Sequence, residues 1–290
     1  IGPRNVLSLN YPDIPISSTV EGANILRHSL MIVGQGSMRC HPYSYEELQL
    51  LQAEDTKAAL TPFDTLLFKH LAYTLNRTAR SFNYGIFGGP SDASAQTDAF
   101  SHPFYKTINR FSANFALTAD LCLGLLAGDI KRKEMLSGRL ADINSHLFIA
   151  TAILKFYEKG QRSEAEQQHA QLALEKAFVQ IQDAFDGLFA NFPMRAAACL
   201  VKFICFPFGR VAQQPSDQLK MQLGLAIMEN NPFREQLKQH VFYNTDPNDV
   251  FGRMENAFQA ALKIDPLWTK FKKAESKGQF EGLDFESHIQ

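Results

Sequence analysis

Two stretches of the chain repeat apolar residues in alternating steps of four and three positions. The first repeat consists of Leu136, Leu140, Ile143, Leu147, Ala150, Leu154 and Tyr157. The second consists of Leu174, Phe178, Ile181, Phe185, Leu188 and Phe192. Residues at this spacing lie on one face of an α-helix, which can be buried against a neighbouring helix. The pattern therefore predicts two long helices that pack together, with the phenylalanines in the core.

The same periodicity, in weaker form, predicts helices elsewhere. One helix is predicted over residues 22–33, a second begins at Ser44, and a third begins at Thr61. A fourth runs from Phe111 and stops at Gly128. Residues 85–103 are polar and glycine-rich and are predicted to form a loop, because no strand precedes their glycines and no phosphate-binding lysine follows them. Strand patterns are nearly absent. We predict an all-α fold of antiparallel helices, arranged as one or more helical bundles.

Residues 196–206 are apolar on nearly every side, and Lys202 is the one charge that interrupts them. A run this short is typical of a core helix, so we predict that it is buried and that Phe203→Asp unfolds this part of the chain. The alternative is a membrane-facing helix with Lys202 and Arg210 at the lipid head groups. No apolar run approaches the ~20 residues needed to cross a bilayer, so no spanning helix is predicted.

Composition and charge exclude several classes of protein. The chain has 290 residues, of which 45% are hydrophobic, and this is enough to bury a large core. Its 29 Lys and Arg residues nearly balance its 30 Asp and Glu residues, which gives no indication of a nucleic-acid partner. The four cysteines, at positions 40, 122, 199 and 205, form no Cys-x-x-Cys pair and are predicted to be reduced core thiols. The eight histidines form no metal-ligand spacing, so no metal site is predicted.

Glu21 lies between a β-branched run and Gly22, where an apolar helix is predicted to begin. One interpretation is an acid in the first helical turn, where it complements the helix dipole. The other is a desolvated carboxylate that acts as a base. The chain begins at Ile1 without a methionine or a leader, and we interpret it as an internal fragment of a longer protein.

The residues from Glu21 onward, Glu-Gly-Ala-Asn-Ile-Leu-Arg-His, resemble the Glu-Gly-Thr-Ser-x-Ile-x-Arg motif of the acyl-CoA dehydrogenase family. In that motif the glutamate is the catalytic base. The chain departs from it in two places: Ala23 replaces the threonine, and His28 replaces the arginine, with Arg27 one position earlier. Because these side chains differ from the motif, the contacts that the motif implies are expected from the backbone of residues 22–24.

Further stretches are similar to the long bacterial fatty acyl-CoA dehydrogenases. They are residues 34–36, 39–43, 63–70, 109–114, 137–142, 206–210 and 215–217. The resemblance implies that residues 1–42 are the end of the catalytic helical domain, with the catalytic-base helix. It implies that residues 43–290 are an α-helical C-terminal extension of unknown role.

The resemblance also implies a reaction. It is the α,β-dehydrogenation of a fatty acyl-CoA thioester, the first step of fatty acid β-oxidation, in which Glu21 takes the α proton and FAD takes the hydride. Gly22 is then expected to contact the substrate, and Ala23 and Asn24 are expected to contact the cofactor. The base needs a desolvated carboxylate and a thioester carbonyl polarised by hydrogen bonds. An isolated fragment is expected to be inactive, because it holds only one edge of the flavin site.

The partners implied by this resemblance are fatty acyl-CoA, an electron-transfer flavoprotein and further copies of the same chain. We expect a cytoplasmic location, with peripheral attachment to the inner membrane as an alternative. The competing hypothesis is a non-catalytic helical interaction or scaffold module, in which residues 44–290 dock to a partner and Glu21 is structural.

Overall fold

The computed structural model describes residues 15, 33, 35–90, 97–239 and 246–279. Within these residues all regular structure is helical, with no strand, which confirms the all-α prediction. The helices are α1 (Ser37–Cys40), α2 (Ser44–Leu51), α3 (Thr56–Phe87), α4 (Ser101–Leu126), a 3₁₀ helix (Ala127–Lys131), α5 (Glu134–Lys159), α6 (Glu164–Asn191), α7 (Arg195–Cys205), α8 (Asp217–Ile227), α9 (Pro232–Lys238) and α10 (Val250–Glu275).

Helices α5 and α6 form the most extensive helix pair among the described residues. All members of the two predicted apolar repeats are buried, which confirms the prediction made from their spacing. A short connection ends at Ser163, whose side chain accepts a hydrogen bond from the backbone N–H of Glu166. The Glu166 carboxylate accepts a hydrogen bond from the backbone N–H of Ser163 in return, which completes a capping box and fixes the start of α6.

Aromatic rings join α4, α6 and the end of α7 in the core. The ring centroids of Phe111 and Phe185 lie 6.2 Å apart, and those of Phe185 and Phe206 lie 5.3 Å apart in an edge-to-face arrangement. Phe111 and Phe185 are fully buried. Ring pairs at these distances stabilise the core beyond the burial of their area, as expected for phenylalanines that serve packing.

Two helix boundaries differ from the sequence-based prediction. Helix α3 begins at Thr56 instead of Thr61, because the Asp55 carboxylate accepts hydrogen bonds from the backbone N–H groups of residues 57 and 58. Pro62 therefore lies inside the helix rather than at its start. At the other end, α3 continues to Phe87 and stops at Gly88, whose φ of 79° suits glycine. Residues 85–87 and 101–103 of the predicted loop are therefore helical, in α3 and α4.

Residues 101–131 are long and apolar enough to cross a bilayer by length and composition, contrary to the prediction that no segment would be. The sequence-based prediction differed because charged and polar residues interrupt the apolar residues of this stretch. Asn114, Thr118 and Asp120 are buried among the other helices. The Thr118 hydroxyl bonds to the Asn114 carbonyl, and the Asn114 amide bonds to the Cys205 carbonyl. These contacts are typical of a core helix inside a helical bundle.

Two of the four cysteines are not core thiols as predicted. Cys122 and Cys205 are buried, and burial raises the pKa of each thiol to about 12. Cys40 and Cys199 are exposed. All four are free thiols. The prediction was wrong for Cys40 and Cys199 because residues that are neighbours in sequence point to different sides of a helix, so apolar neighbours do not guarantee burial.

Residues 15–223 form one compact unit, and the described residues from 224 to 279 belong to another. In the second unit Arg234 makes two hydrogen bonds to the Glu255 carboxylate, at 3.2 and 2.9 Å. This contact links α9 to α10. The predicted division of the chain at residues 42 and 43 is not tested by these units and stays a prediction.

Candidate functional site

The residues assigned to chemistry by resemblance, Glu21, Gly22, Ala23 and Asn24, lie outside the described residues. So does the predicted helix 22–33, apart from Val33. Their assigned roles stay predictions. The structure does describe residues 35–41, which follow this segment, and shows how they are held.

Val33 and His41 attach this segment to the bundle. Val33 is 5% exposed and belongs to the core formed by α4, α5, α6 and α7. His41 follows α1, and its side chain is 7% exposed. Its ring nitrogen Nε2 lies 2.7 Å from Asp120 Oδ1 on α4. The segment after the predicted base is therefore fixed to the bundle by one apolar and one polar contact.

Asp120 is the centre of a hydrogen-bonded group that we call the junction cluster: His41, Glu47, His70, Thr74 and Asp120. The Asp120 side chain is only 2% exposed. Its Oδ1 contacts His41 Nε2 at 2.7 Å and His70 Nε2 at 3.3 Å, and its Oδ2 accepts a hydrogen bond from the Thr74 hydroxyl at 2.7 Å. His70 and Thr74 are adjacent on one face of α3 because they are four residues apart.

The tautomer of His41 follows from its neighbours. The backbone N–H groups of Tyr43 and Ser44 donate to His41 Nδ1, at 3.2 and 3.0 Å. A backbone N–H can only donate, so Nδ1 is unprotonated and the neutral ring carries its proton on Nε2. The Nε2–H group then donates to Asp120. These contacts fix both the orientation and the tautomer of the ring.

His70 bridges two carboxylates. Its Nδ1 lies 2.8 Å from Glu47 Oε1 on α2, and its Nε2 lies 3.3 Å from Asp120 Oδ1 on α4. Carboxylates accept hydrogen bonds, so only the doubly protonated ring donates to both. The Tyr43 ring stacks on His70 with a centroid distance of 5.5 Å. His70 thus links α2, α3 and α4 through one side chain.

The electrostatics of Asp120 agree with this geometry. Burial alone would raise the pKa of the Asp120 carboxyl, but the hydrogen bonds from His41, Thr74 and His70 outweigh burial and lower the pKa to about 2. The carboxylate is therefore ionised at neutral pH. Its charge is compensated by three donors, His41 after α1 and His70 and Thr74 on α3.

The ligand atoms of His41, His70 and Asp120 all lie within 4.8 Å of one another, as in a metal site. The tautomer of His41 argues against a metal. A metal-bound imidazole offers one bare nitrogen and donates its other N–H to a neighbour, whereas His41 accepts at Nδ1 and carries its proton on Nε2. The geometry favours a hydrogen-bonded network, and the prediction that no metal is bound stays a prediction.

A cavity of about 500 Å³, which we call the junction cavity, lies beside the cluster. His41, Asp120 and Arg77 contribute polar atoms to one part of its lining. The apolar part is formed by Val33, Cys40, Phe115, Leu123, Ile130 and Leu140. A cavity of this size, with mostly apolar walls and a few polar groups, is typical of a ligand site.

The prediction that residues 196–206 form a fully buried helix is wrong. Ala198, Val201 and Cys205 face the core, but Phe203 is 58% exposed and Leu200 is 61% exposed. Gly85 lets α3 approach the end of α7, because a Cβ there would lie 3.1 Å from the Ile204 carbonyl oxygen and 2.9 Å from Cδ of Pro207, which follows α7. The helix therefore lies at the surface, and Phe203→Asp is not expected to unfold the chain.

A comparison with protein families identifies the family of the chain. A family model described as acyl-CoA dehydrogenase, C-terminal, bacterial type, matches residues 38–290. The chain belongs to this family. The match confirms the resemblance stated from the sequence. No solved structure matches the chain.

Within this acyl-CoA dehydrogenase C-terminal domain, sequence reasoning missed the junction cluster. His41 and Asp120 are 79 positions apart, and His70 and Asp120 are 50 apart, so no short motif joins them. The available signal was that Asp120 lies within the apolar stretch of α4, between Thr118 and Cys122, where a charge that becomes buried needs partners. That signal indicates a buried polar site but does not identify its partners.

Proposed function

We propose that the chain is the C-terminal part of an FAD-dependent enzyme that dehydrogenates fatty acyl-CoA thioesters between Cα and Cβ, with Glu21 as the base. This reaction is the first step of fatty acid β-oxidation. The observation that supports it is the family match over residues 38–290, which begins shortly after the Glu21-Gly22 motif. Membership of the family concerns the domain, and the substrate, the cofactor and the roles of residues 21–24 are parts of the proposal.

The proposed chemistry makes specific demands on Glu21. The α proton of a thioester is too weakly acidic for a carboxylate in water, so the base must be desolvated and the developing enolate stabilised by hydrogen bonds. Val20 and Ile25 are the apolar neighbours in sequence that suit a desolvated site. Gly22 lets the backbone approach the substrate because it has no Cβ.

FAD, when bound, supplies the acceptor for the hydride from Cβ. The positions proposed to contact it, Ala23 and Asn24, lie outside the described residues. An electron-transfer flavoprotein is the proposed acceptor of the electrons, and a homo-oligomer is the proposed assembly. No nucleic acid is expected.

The junction cluster has a proposed part in this function. His41 and Asp120 hold the segment that follows the Glu21 region on the surface of the extension. A base must be kept within a fraction of an ångström of its working position, because small displacements cost large factors in rate. We therefore assign His41 and Asp120 as positioning residues, which act through the segment and do not contact the substrate.

A peripheral membrane contact is proposed for the exposed apolar residues of α3 and α7. Phe82, Ile86, Leu200 and Phe203, which we call the apolar patch, are 38%, 38%, 61% and 58% exposed. The rings of Phe82 and Phe203 lie 6.3 Å apart, so the two helices contribute to one surface. Apolar residues grouped in this way indicate an interaction site.

The charges around the patch favour a neutral lipid surface over an anionic one. Lys202 lies 3.6 Å from Asp186, and Arg210 lies 2.6 Å from both Asp183 and Asp186. The cations are therefore compensated. We expect Phe203→Asp to keep its melting temperature and to lose binding to phosphatidylcholine vesicles, while Met135→Asp, a change at another exposed apolar residue, keeps both. Unchanged vesicle binding of the Phe203 variant, or no binding by the original chain, contradicts the membrane contact.

The catalytic proposal is tested in the full-length enzyme by Glu21→Gln, with acyl-CoA-dependent dye reduction as the assay. We expect turnover to be abolished while FAD stays bound, because glutamine keeps the size of the side chain and loses the base. Glu46→Gln, on the exposed side of α2, is the matched control and is expected to keep full activity. Near-normal turnover of the Glu21 variant would favour the alternative of a non-catalytic helical interaction module.

A location in the cytoplasm, with peripheral attachment to the inner membrane, is part of the same proposal. Fractionation of cells that express the tagged full-length protein tests it. Recovery mainly in the soluble fraction, with a membrane-bound share that withstands a high-salt wash and depends on Phe203, is the expected result, because salt screens charge contacts and not apolar ones.

A further inference from the structure

A groove between α3 and α4 lies next to the junction cavity. Arg77, Arg80 and Tyr84 line it from α3, and Asn109 and Ser112 line it from α4. Its volume is about 420 Å³. We call it the basic groove. Because residues 77, 80 and 84 are three and four positions apart, they share one face of α3 and converge on the same space.

The basic groove carries cations without matching carboxylates. Among the described residues that line it, Arg77 and Arg80 are charged, and no carboxylate is present. Asp64 on α3 is exposed and is not part of this lining, and Asp120 on α4 borders the junction cavity instead. The lining of the groove therefore has an excess of positive charge.

Arg77 is the most informative of these cations. Its Nε is buried and has no hydrogen-bond partner. The guanidinium lies over the Tyr73 ring at 3.9 Å and forms no ion pair with a described residue. Burial lowers the pKa of Arg77, the charge of Arg80 acts in the same direction, and Asp120 opposes them. Two guanidinium groups near each other repel unless an anion lies between them.

The negative charge of Asp120 does not supply that anion. Its oxygens already interact with His41, His70 and Thr74. A guanidinium that keeps free N–H groups next to a second guanidinium is suited to a phosphate or carboxylate, which it binds through paired hydrogen bonds. Tyr84 and Ser112 line the groove from its two walls, and both residue types carry a hydroxyl that can donate a hydrogen bond.

The basic groove and the junction cavity are continuous in their lining, because Arg77, Ser112 and Ala116 border both. On one side of these residues the walls are basic, and on the other side they are apolar, with Phe115, Leu123 and Ile130. A ligand that fits both parts has a charged head and an apolar chain. A free inorganic anion would leave the apolar part unused.

We propose that the basic groove and the junction cavity together bind an amphiphilic anion, an alkyl or acyl chain that carries a phosphate or a carboxylate. Arg77 and Arg80 hold the head, and Phe115, Leu123 and Ile130 contact the chain. Arg77, Arg80, Phe115, Leu123 and Ile130 are not among the residues proposed for catalysis, so this inference does not depend on the proposed reaction. Fatty acids, alkyl phosphates and phospholipids share the required chemistry.

The test is calorimetric titration of the 290-residue chain with four ligands: decyl phosphate, decanoate, decanol and inorganic phosphate. Decyl phosphate and decanoate are used below their critical micelle concentrations. Decyl phosphate or decanoate is expected to bind, and the tighter of the two identifies the head group. Decanol and inorganic phosphate are expected to bind at least ten-fold more weakly, because each lacks half of the ligand. Equal affinity for decanol and the two anions would overturn the proposal.

Two variants locate the site. Arg77→Gln with Arg80→Gln is expected to weaken binding of the anion at least ten-fold, and Arg132→Gln, an exposed arginine outside both cavities, is expected to leave it unchanged. Ala116→Leu fills the connection between the two parts and is expected to weaken binding of the alkyl chain by a similar factor. Circular dichroism establishes that each variant is folded. Unaltered affinity in both the arginine variant and the Ala116 variant would refute the site, even if the chain binds the ligand elsewhere.

Discussion

Replacement of Asp120 by asparagine tests the junction cluster, because the change removes one charge and almost no volume. The pKa of Asp120 falls from an ordinary 3.8 to about 2 in the folded protein. Since one pKa unit corresponds to ~1.4 kcal/mol, the ionised carboxylate contributes about 2 kcal/mol to the free energy of unfolding at neutral pH. Asp120→Asn should lose about this amount, and its amide N–H₂ would also face a donor: the Thr74 hydroxyl in one orientation of the amide, or the ring nitrogens of His41 and His70 in the other.

The pH dependence gives the stricter test. The folded pKa is lower than the unfolded pKa, so the contribution is fully present above pH 4 and is lost as the pH falls toward 2. By pH 3 about half of it is gone. The difference in unfolding free energy between the original chain and Asp120→Asn should therefore shrink as the pH falls from 7 to 3.

The assay is urea unfolding followed by far-ultraviolet circular dichroism. The single tryptophan, Trp268, lies in the unit of residues 224–279 and would report on the wrong part of the chain. Asp64→Asn, at an exposed position of α3, is the matched control and should change stability by less than ~0.5 kcal/mol. If Asp120→Asn does not fold, Thr74→Val removes a single donor to Asp120 and should cost about 1 kcal/mol. A stable Asp120 variant, or a difference that does not change with pH, would refute the assignment of Asp120 as a compensated buried charge.

Three further changes test the packing and the second unit. Ser163→Ala removes the capping box of α6 and should cost about 1 kcal/mol in thermal unfolding. Leu154→Ala empties a fully buried position of α5 and should cost about 2–5 kcal/mol, whereas Phe148→Ala, at a 76% exposed position, should cost less than ~0.5 kcal/mol. Hydrogen bonds from Arg234 lower the pKa of Glu255 from 4.5 to about 2, which corresponds to at most ~3.5 kcal/mol, and solvent screening reduces this, so Glu255→Gln should destabilise the unit of residues 224–279 by about 1–3 kcal/mol, measured by the fluorescence of Trp268. Equal melting curves for any of these three variants and the original chain would contradict the corresponding contact.

The apolar repeats of α5 and α6 could be predicted because their periods are long and unbroken. Every member of the two repeats is buried. Apolar residues at every third or fourth position over about six turns in α5 and about five turns in α6 all lie on one face of the helix, and burial of that face stabilises the helix. The start of α3 could not be predicted, because Asp55 and Pro62 both supply start signals and only the structure shows that the Asp55 cap is used.

The junction cluster could not be predicted for a different reason. Its members come from α2, α3, α4 and the segment after α1, and the distances in sequence exceed any motif length. Tertiary packing brings them together. A sequence shows that a buried charge such as Asp120 needs donors, but the identity of those donors depends on the packing angle of α3 against α4.

Helix α7 shows why local hydrophobicity is a weak guide to burial. Residues 196–206 are apolar on nearly every side, yet α7 packs on the bundle through Ala198, Val201 and Cys205 and leaves Leu200 and Phe203 at the surface. A helix that is apolar all round is normally buried, and its exposure costs free energy unless another surface covers it. Packing among the described residues of this unit does not account for the exposure of Leu200 and Phe203, and an external surface such as the proposed lipid interface would provide the physical reason to retain them.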